Sequence, residues 1–228
     1  VRARFVSDDP RKAQGMIRDE ELLFSHLTSL VGQPEQRLDL VSPYFVPGRG
    51  GTRALALLAR RGIAVRVLTN ALEATDVLPV HAGYAKRRRT LLKAGVVLFE
   101  LKRGASPASD GGKDARALGP FGSSGGSLHA KTFALDGRTI YVGSFNFDPR
   151  SVRLNTESGL VIDSERLAQR LHESFDGRLD RIAYRPVLVG RRLVWRDAGS
   201  ILPREPGASL GRRALLAAVN RLPVEWLL

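Results

Sequence analysis

The sequence predicts an α/β domain with a mixed, largely parallel central β-sheet and helices on both of its faces. Three observations predict it. Segments with apolar residues at helical spacing alternate with short apolar runs along residues 18–102, the pattern left by parallel strands joined through crossover helices. Gly62 and Gly95 stand directly after two of the helical segments, where a helix commonly ends. Past residue 127 the chain turns to closely spaced strand pairs, one of them across Asp136-Gly137, a dipeptide that favours a hairpin turn.

Residues 18–31 (RDEELLFSHLTSLV) carry the first helical spacing, and RLDLVS at 37–42 reads as a short buried strand. ALALLARR (54–61) is a helix and IAVRVLTN (63–70) a strand; HAGYAKRRRTLLKA (81–94) is a helix and VVLFELK (96–102) a strand. Residues 104–127 hold seven glycines with serines and prolines between them, so they read as a loop, either a lid over a site or a surface insertion. Strands LHAKTFAL (128–135) and RTIYVG (138–143) follow, then strand TESGLVI (156–162), helix SERLAQRLHESF (164–175) and a hairpin with arms at 182–189 and 192–197. Residues 208–228 read as an amphipathic helix with an apolar, Pro-containing tail. It is too short and too charged to span a bilayer, and is suited to lying on one or to packing on the domain. The expected division is a domain at 1–200 and a C-terminal segment at 201–228.

With 228 residues, 43% hydrophobic and 26% charged, the chain has the composition of a folded globular domain. The absence of cysteine excludes disulfides, thiolate zinc sites and iron–sulfur clusters, and four scattered histidines argue against a His-rich metal site. No cofactor is expected. The chain begins at Val1 without a signal-like apolar run, and reads as a piece of something longer. A net charge of +13 points to a polyanionic partner, nucleic acid or an anionic membrane, or else to arginines spread over solvated faces. The run KRRR at 86–89 is open to the same two readings.

Polar chemistry concentrates in SLHAKTFALDGRTIYVGSFNFDPRS, residues 127–151. Residues two apart on a strand share a face, so His129 and Lys131 are expected to project together. Gly143, Ser144 and Asn146 follow at the end of the next strand, where glycine admits a close approach and a hydroxyl and a carboxamide can donate. Glu157, on the strand after that, is placed to reach a histidine nitrogen. The set supplies a nucleophile or base, a fixed cation, neutral donors and a carboxylate, which suits a tetrahedral oxyanion without a metal. His26 and His172 lie in amphipathic helices, where a packing or surface role explains them. His81, Tyr84 and, after the first strand, Tyr44 are candidates for a substrate pocket.

The spacing H-x-K-x4-D-x6-G-S-x-N, met by His129, Lys131, Asp136, Gly143, Ser144 and Asn146, resembles the HKD signature of the phospholipase D superfamily. SPYFVPG (42–48), residues 81–102, 126–162 and the tail LPVEWLL are similar to the C-terminal half of bacterial cardiolipin synthases. The resemblance implies a phospholipase D-like domain and phosphatidyl transfer through a phosphohistidine, with His129, Lys131, Asp136, Asn146 and Glu157 as the catalytic set. Lys131, Ser144 and Asn146 would hold phosphate oxygens, Glu157 would fix the His129 tautomer, and Asp136 would be supporting. It also implies an anionic phospholipid substrate such as phosphatidylglycerol, a peripheral place on the bacterial inner membrane, and a second HKD half from the same longer chain or a second copy. The runner-up is a homodimeric nuclease of the same superfamily, acting on nucleic acid; an inactive lipid-binding half-domain is the third reading.

Overall fold

The computed structural model describes residues 1–104, 128–177, 179–209 and 211–212. The loop expected at 104–127 and the helix expected at 208–228 lie almost wholly outside these residues. The chain opens with β1 (Arg2–Ser7) and, after two short 3-10 turns, α1 (Leu23–Val31). The alternating part then gives β2 (Arg37–Val41), α2 (Gly48–Arg60), β3 (Ala64–Asn70), α3 (Leu78–Lys93) and β4 (Val97–Leu101). The second half gives β5 (Thr132–Leu135), β6 (Thr139–Gly143), α4 (Pro149–Arg153), β7 (Ser158–Asp163), α5 (Glu165–Phe175), α6 (Leu179–Ile182), β8 (Ala183–Val189), β9 (Arg192–Asp197) and β10 (Ser200–Leu202).

All the strands join one sheet in the order β1-β7-β6-β5-β2-β3-β4-β8-β9-β10. The fold is α/β and the sheet mixed, as the alternation requires. Among the described strands, parallel pairing is confined to β2–β3 and β3–β4, apart from an isolated parallel bridge between Phe45 and Phe147, and the other strand pairings are antiparallel. The parallel share is therefore smaller than expected, because only α2 and α3 serve as crossovers between neighbouring strands while the later strands connect as hairpins. One hairpin turns at Asp136-Gly137, where both residues take positive φ (50° and 67°) and Arg138 N–H donates to the Leu135 carbonyl at 3.0 Å. Those angles are the backbone of a type I′ turn.

Helices cover both faces. Leu55 and Leu58 of α2 and Leu91 of α3 pack on Leu38, Leu40, Val65, Val67 and Leu98. Strand residues of the other parity, Val41, Leu68, Phe99 and Ala134, meet Ala168, Leu171 and Phe175 of α5. α1 packs at the β1–β7 end of the sheet and buries Leu23 and Leu27 against Tyr141, Phe145 and Val161. β1 has no counterpart in the predicted elements: RARFVS alternates arginine with apolar residues and exposes Phe5 by 70%, so its period reads as polar until the strand pairs with β7.

The division expected at residue 200 falls at the start of β10, which pairs with β9. Past β10 the chain is pinned by Glu205. Its Oε1 lies 2.8 Å from His81 Nε2 and 2.5 Å from Arg88 Nη2. Arg88 is only 2% exposed; its Nε is 3.1 Å from Glu100, and its guanidinium lies over the rings of Tyr84 and Trp195. Burial opposes ionisation of Glu205, but the His81 hydrogen bond and the Arg88 charge outweigh it and bring the carboxyl down to about 2.

A carboxyl depressed on folding stabilises the fold above its unfolded pKa and loses that contribution as pH falls toward the folded value. Glu205→Gln should therefore melt below wild type at neutral pH. The gap between the two melting temperatures should narrow as pH falls from about 4.5 toward 2; a gap independent of pH would show that the Glu205 charge contributes nothing.

Candidate active site

β2, β3 and β4 run the same way, so their C-terminal ends share one edge of the sheet, the edge where open α/β sheets hold ligands. β5 runs against β2, with Thr132 opposite Val41, and starts at this edge. β6 ends there and β7 begins there, with Gly143 opposite Gly159. His129 and Lys131 therefore enter just before β5, Ser144 and Asn146 leave just after β6, and Glu157 immediately precedes β7. The sheet brings together residues spread over 29 positions.

The strand expected at 128–135 is regular only from Thr132. Its lead-in is held by individual bonds: Leu128 N–H donates to Asn70 Oδ1 at 3.0 Å, Lys131 Nζ to the His129 carbonyl at 3.0 Å, and Gly143 N–H to the Lys131 carbonyl at 3.1 Å. His129 is exposed and Lys131 half-buried. Burial pulls the Lys131 ammonium below the usual lysine range, and the nearby charges of Glu157 and Asp148 pull it back up. Asp148, itself buried, is held above the usual aspartate range by desolvation, with Glu157 adding to the rise and the backbone N–H groups of Ser151 and Arg150 opposing it.

Gly143 is required by close approach. A Cβ there would strike the Tyr141 hydroxyl and the Ser158 carbonyl, and would lie 2.7 Å from Gly159 Cα. The Tyr141 hydroxyl donates to the Ser158 carbonyl at 3.2 Å, and its ring covers the paired glycines.

Glu157 is 5% exposed, and both its carboxylate oxygens accept from serines: Oε2 from Ser144 Oγ, and Oε1 from Ser151 Oγ at 2.7 Å. Two expectations change. Among the described residues the His129 ring makes no hydrogen bond, so Glu157 does not hold its tautomer in this structure. The single donor of Ser144 goes to Glu157, which leaves that hydroxyl orienting the carboxylate and taking Ser158 N–H at 3.0 Å, without a proton to offer a phosphate oxygen. Asn146 is 9% exposed, and its Oδ1 is buried without a partner among the described residues; an oxygen so placed can accept from a donor beyond them.

Asp136 does not join this cluster. It lies at the far end of β5 and accepts from three backbone N–H groups, of Glu35 (3.0 Å), Gln36 (2.8 Å) and Arg37 (2.8 Å). Desolvation opposes its ionisation, yet those three bonds keep its carboxyl below the usual range. Its task is to tie the hairpin turn to the entrance of β2. His172 is packed beside it: Gly137 N–H donates to Nε2 at 3.0 Å and Nδ1 meets Asp39 at 2.5 Å. Because Nε2 accepts, Nδ1 carries the proton.

The pocket expected from His81 and Tyr84 is not formed by them. Both are buried, His81 against Glu205 and Arg88, and Tyr84 through a 2.9 Å bond to Glu100. The inner face of α3 thus holds a polar cluster that only its partners, Glu100 and Glu205, reveal. Tyr44 follows β2 at this edge, half-buried, with its hydroxyl donating to Asp76 at 3.0 Å; burial first, then the Asp76 hydrogen bond and charge and last the Asp148 charge, push its pKa up to about 12. Among the described residues no group of three or more histidines and carboxylates could hold a metal ion.

Two site-building residues carry no signal in the sequence. Asp8 and Lys12 form a fully buried pair at 2.6 Å. Lys12 also donates to the Ser151 carbonyl at 2.8 Å, while Asp8 accepts from the N–H groups of Glu157 (3.0 Å) and Leu23 (2.7 Å). Asp8 N–H returns a bond to the Glu157 carbonyl at 2.8 Å. The pair therefore fixes Ser151 and Glu157, and through them Ser144.

A family described as the cardiolipin synthase, PLD-like domain matches residues 27–179. Cardiolipin synthase C of Escherichia coli (strain K12) is 43% identical to this chain over 241 residues, an alignment that covers 100% of this chain and 48% of that protein. Cardiolipin synthase A of Edwardsiella ictaluri is 31% identical over 64% of this chain and 25% of its own length. The chain thus spans half the length or less of these relatives. Among solved structures, phosphatidylserine synthase of Haemophilus influenzae superposes with a TM-score of 0.59 at 17% identity, covering 99% of this chain and 46% of that one. Nuc of Salmonella typhimurium, a phospholipase D family member, gives 0.55 at 16%, covering 82% and 99%. At such identities the structural likeness is one of fold.

Breaking a buried ion pair by removing one partner leaves an uncompensated charge, at a cost of about 3–5 kcal/mol. Asp8→Ala and Lys12→Met should each destabilise the chain by that order in denaturant unfolding, and the double variant by less than the sum. Additive losses would show that the two side chains act separately.

Proposed function

This chain belongs to the cardiolipin synthase, phospholipase D-like family, and from that membership we propose that it carries one half of a site for phosphatidyl transfer between phospholipids. The observation that supports the reading most is the exposed His129 beside the half-buried Lys131, with Asn146 buried at the same edge of the sheet. A His129 ring nitrogen attacks phosphorus and the lipid alkoxide leaves, giving a phosphohistidine. The Lys131 ammonium and the Asn146 Nδ2 amide donate to the nonbridging oxygens, whose charge grows in the transition state. The acceptor hydroxyl, that of phosphatidylglycerol for cardiolipin formation, then attacks the phosphohistidine, gives its proton to the group that had protonated the leaving alkoxide, and frees His129. Glu157 serves as a buried negative charge opposite Lys131, held in place by Ser144 and Ser151.

The leaving alkoxide needs a proton from the side opposite the nucleophile, and one histidine cannot occupy both sides. No other histidine of this chain fits. His81 and His172 are each 2% exposed and committed to Glu205 and Asp39, and His26 is on the outer side of α1, which packs at the β1–β7 end of the sheet. The second group therefore comes from another phospholipase D-like half, in a longer chain or a second copy.

Radiolabelled phosphatidylglycerol, resolved by thin-layer chromatography, tests the assignment beside a single-stranded DNA substrate. Conversion to a product that migrates as cardiolipin is expected, and DNA cleavage without lipid turnover would favour a nuclease instead. His129→Ala should abolish turnover without loss of fold, and Lys131→Ala should lower it about 100- to 1,000-fold, the scale of losing one oxyanion donor. More than a tenth of wild-type rate in His129→Ala would remove it as nucleophile. Light scattering during size-exclusion chromatography should place activity only in species with two halves; a fully active monomer of the 228-residue chain would overturn the half-site.

A further inference from the structure

Between α2 and α3 runs a groove of about 560 Å³ lined by Arg49, Arg53, Arg60 and Arg87, with Thr52 and Ala56 at its base. A pocket of this size accommodates a small ligand or headgroup. Arg49, Arg53 and Arg60 follow at spacings of four and seven, so they form one stripe along α2. All three are exposed, and among the described residues none is paired with a carboxylate. Two inner arginines, by contrast, are neutralised: Arg66 by Asp39 and Asp176, Arg88 by Glu100 and Glu205. Like charges gathered along one groove repel one another, and an anion in the groove relieves that repulsion.

A second feature decides the kind of anion. Leu57 lines the same groove and is 57% exposed. On the other flank of α2, Gly51 and Ala54 line an apolar groove with Phe24, Val46, Phe145 and Phe147, and this groove reaches Asp148 at the catalytic edge. One helix thus presents arginines on one side, an exposed leucine between, and an apolar channel toward the site on the other. A nucleic-acid backbone answers only to the arginines, whereas a phospholipid surface offers phosphate and hydrocarbon together.

We propose that the α2 face is where this protein docks on a membrane, with the phosphates of anionic phospholipids seated among Arg49, Arg53, Arg60 and Arg87 and Leu57 inserted beside them. The inference rests on the phospholipid reading of the site and adds the surface through which substrate is approached.

Sedimentation of the His129→Ala chain with vesicles of phosphatidylcholine, with and without phosphatidylglycerol, reads docking without turnover. Arg49→Gln/Arg53→Gln/Arg60→Gln should raise the half-saturating concentration of phosphatidylglycerol vesicles about tenfold or more, since each basic residue at an anionic surface adds to affinity. Arg138→Gln/Arg166→Gln/Arg170→Gln removes the same charge from the turn and helix on the opposite face, and should shift it less than about twofold. Leu57→Gln should weaken binding with no change of charge. Equal weakening by the two triple variants would reduce the effect to net charge and overturn the proposal. So would unchanged vesicle binding in the α2 variant, or loss of single-stranded DNA binding alone. Docking and transfer separate cleanly: a chain that docks through α2 yet leaves phosphatidylglycerol unconverted keeps the surface and loses the activity, and a chain that turns over lipid but ignores the α2 arginines does the reverse.

Discussion

The carboxylate of Asp8 is the point on which the catalytic edge depends. It accepts the N–H groups of Leu23 and Glu157 and the ammonium of Lys12, so one side chain sets the start of α1, the entrance of β7 and, through the Lys12 bond to the Ser151 carbonyl, the helical turn of α4. Two charges in a site with no solvent are tolerated only where geometry and further hydrogen bonds compensate their desolvation, and here every contact of the pair falls on a segment that shapes the site. Both residues precede the stretch at 27–179 that matches the family domain. The candidate site residues and the ion pair that helps to hold them thus come from different parts of the chain.

The sheet supplies the rest of the geometry by changing character at β2. On one side β2 pairs with β3 in parallel, on the other with β5 antiparallel. The parallel part turns its C-terminal ends, and the loops that follow them, to one edge. The antiparallel part delivers the lead-in to β5, the exit of β6 and the entrance of β7 to that same edge. A purely parallel sheet would have sent His129 and Ser144 to opposite edges, since their strands are consecutive.

Charge is sorted by depth. Arg66 and Arg88 are enclosed in carboxylates and aromatic rings, and they lock α5 and the segment around Glu205 to the sheet. The arginines of α2 remain at the surface in a groove of one sign, so the net charge of +13 is uneven in its effect. Desolvation also tunes the site, lowering Lys131 and raising Asp148, two groups whose charges face each other across the catalytic edge.

The sequence by itself determined the alternation of helices and strands from 18 to 102, the hairpin at Asp136-Gly137, and the cluster of His129, Lys131, Ser144 and Asn146, because periodicity, turn chemistry and close motif spacing are local properties. Tertiary structure alone decided the rest. Asp8 and Glu157 are separated by 149 positions, β1 becomes a strand only against β7, and Glu205 meets Arg88 across 117; no local pattern marks a pairing at such range. The same reason reassigns residues the motif had grouped. Asp136 stands seven positions after His129, yet four residues of strand β5 carry it to the opposite edge, where three backbone N–H groups hold it. His81 and Tyr84 carry side chains suited to a pocket, and it is the buried strand residue Glu100, with Arg88 above it, that draws them inward. Which partner a polar side chain meets is set by how the layers stack, and that is written in contacts between distant segments.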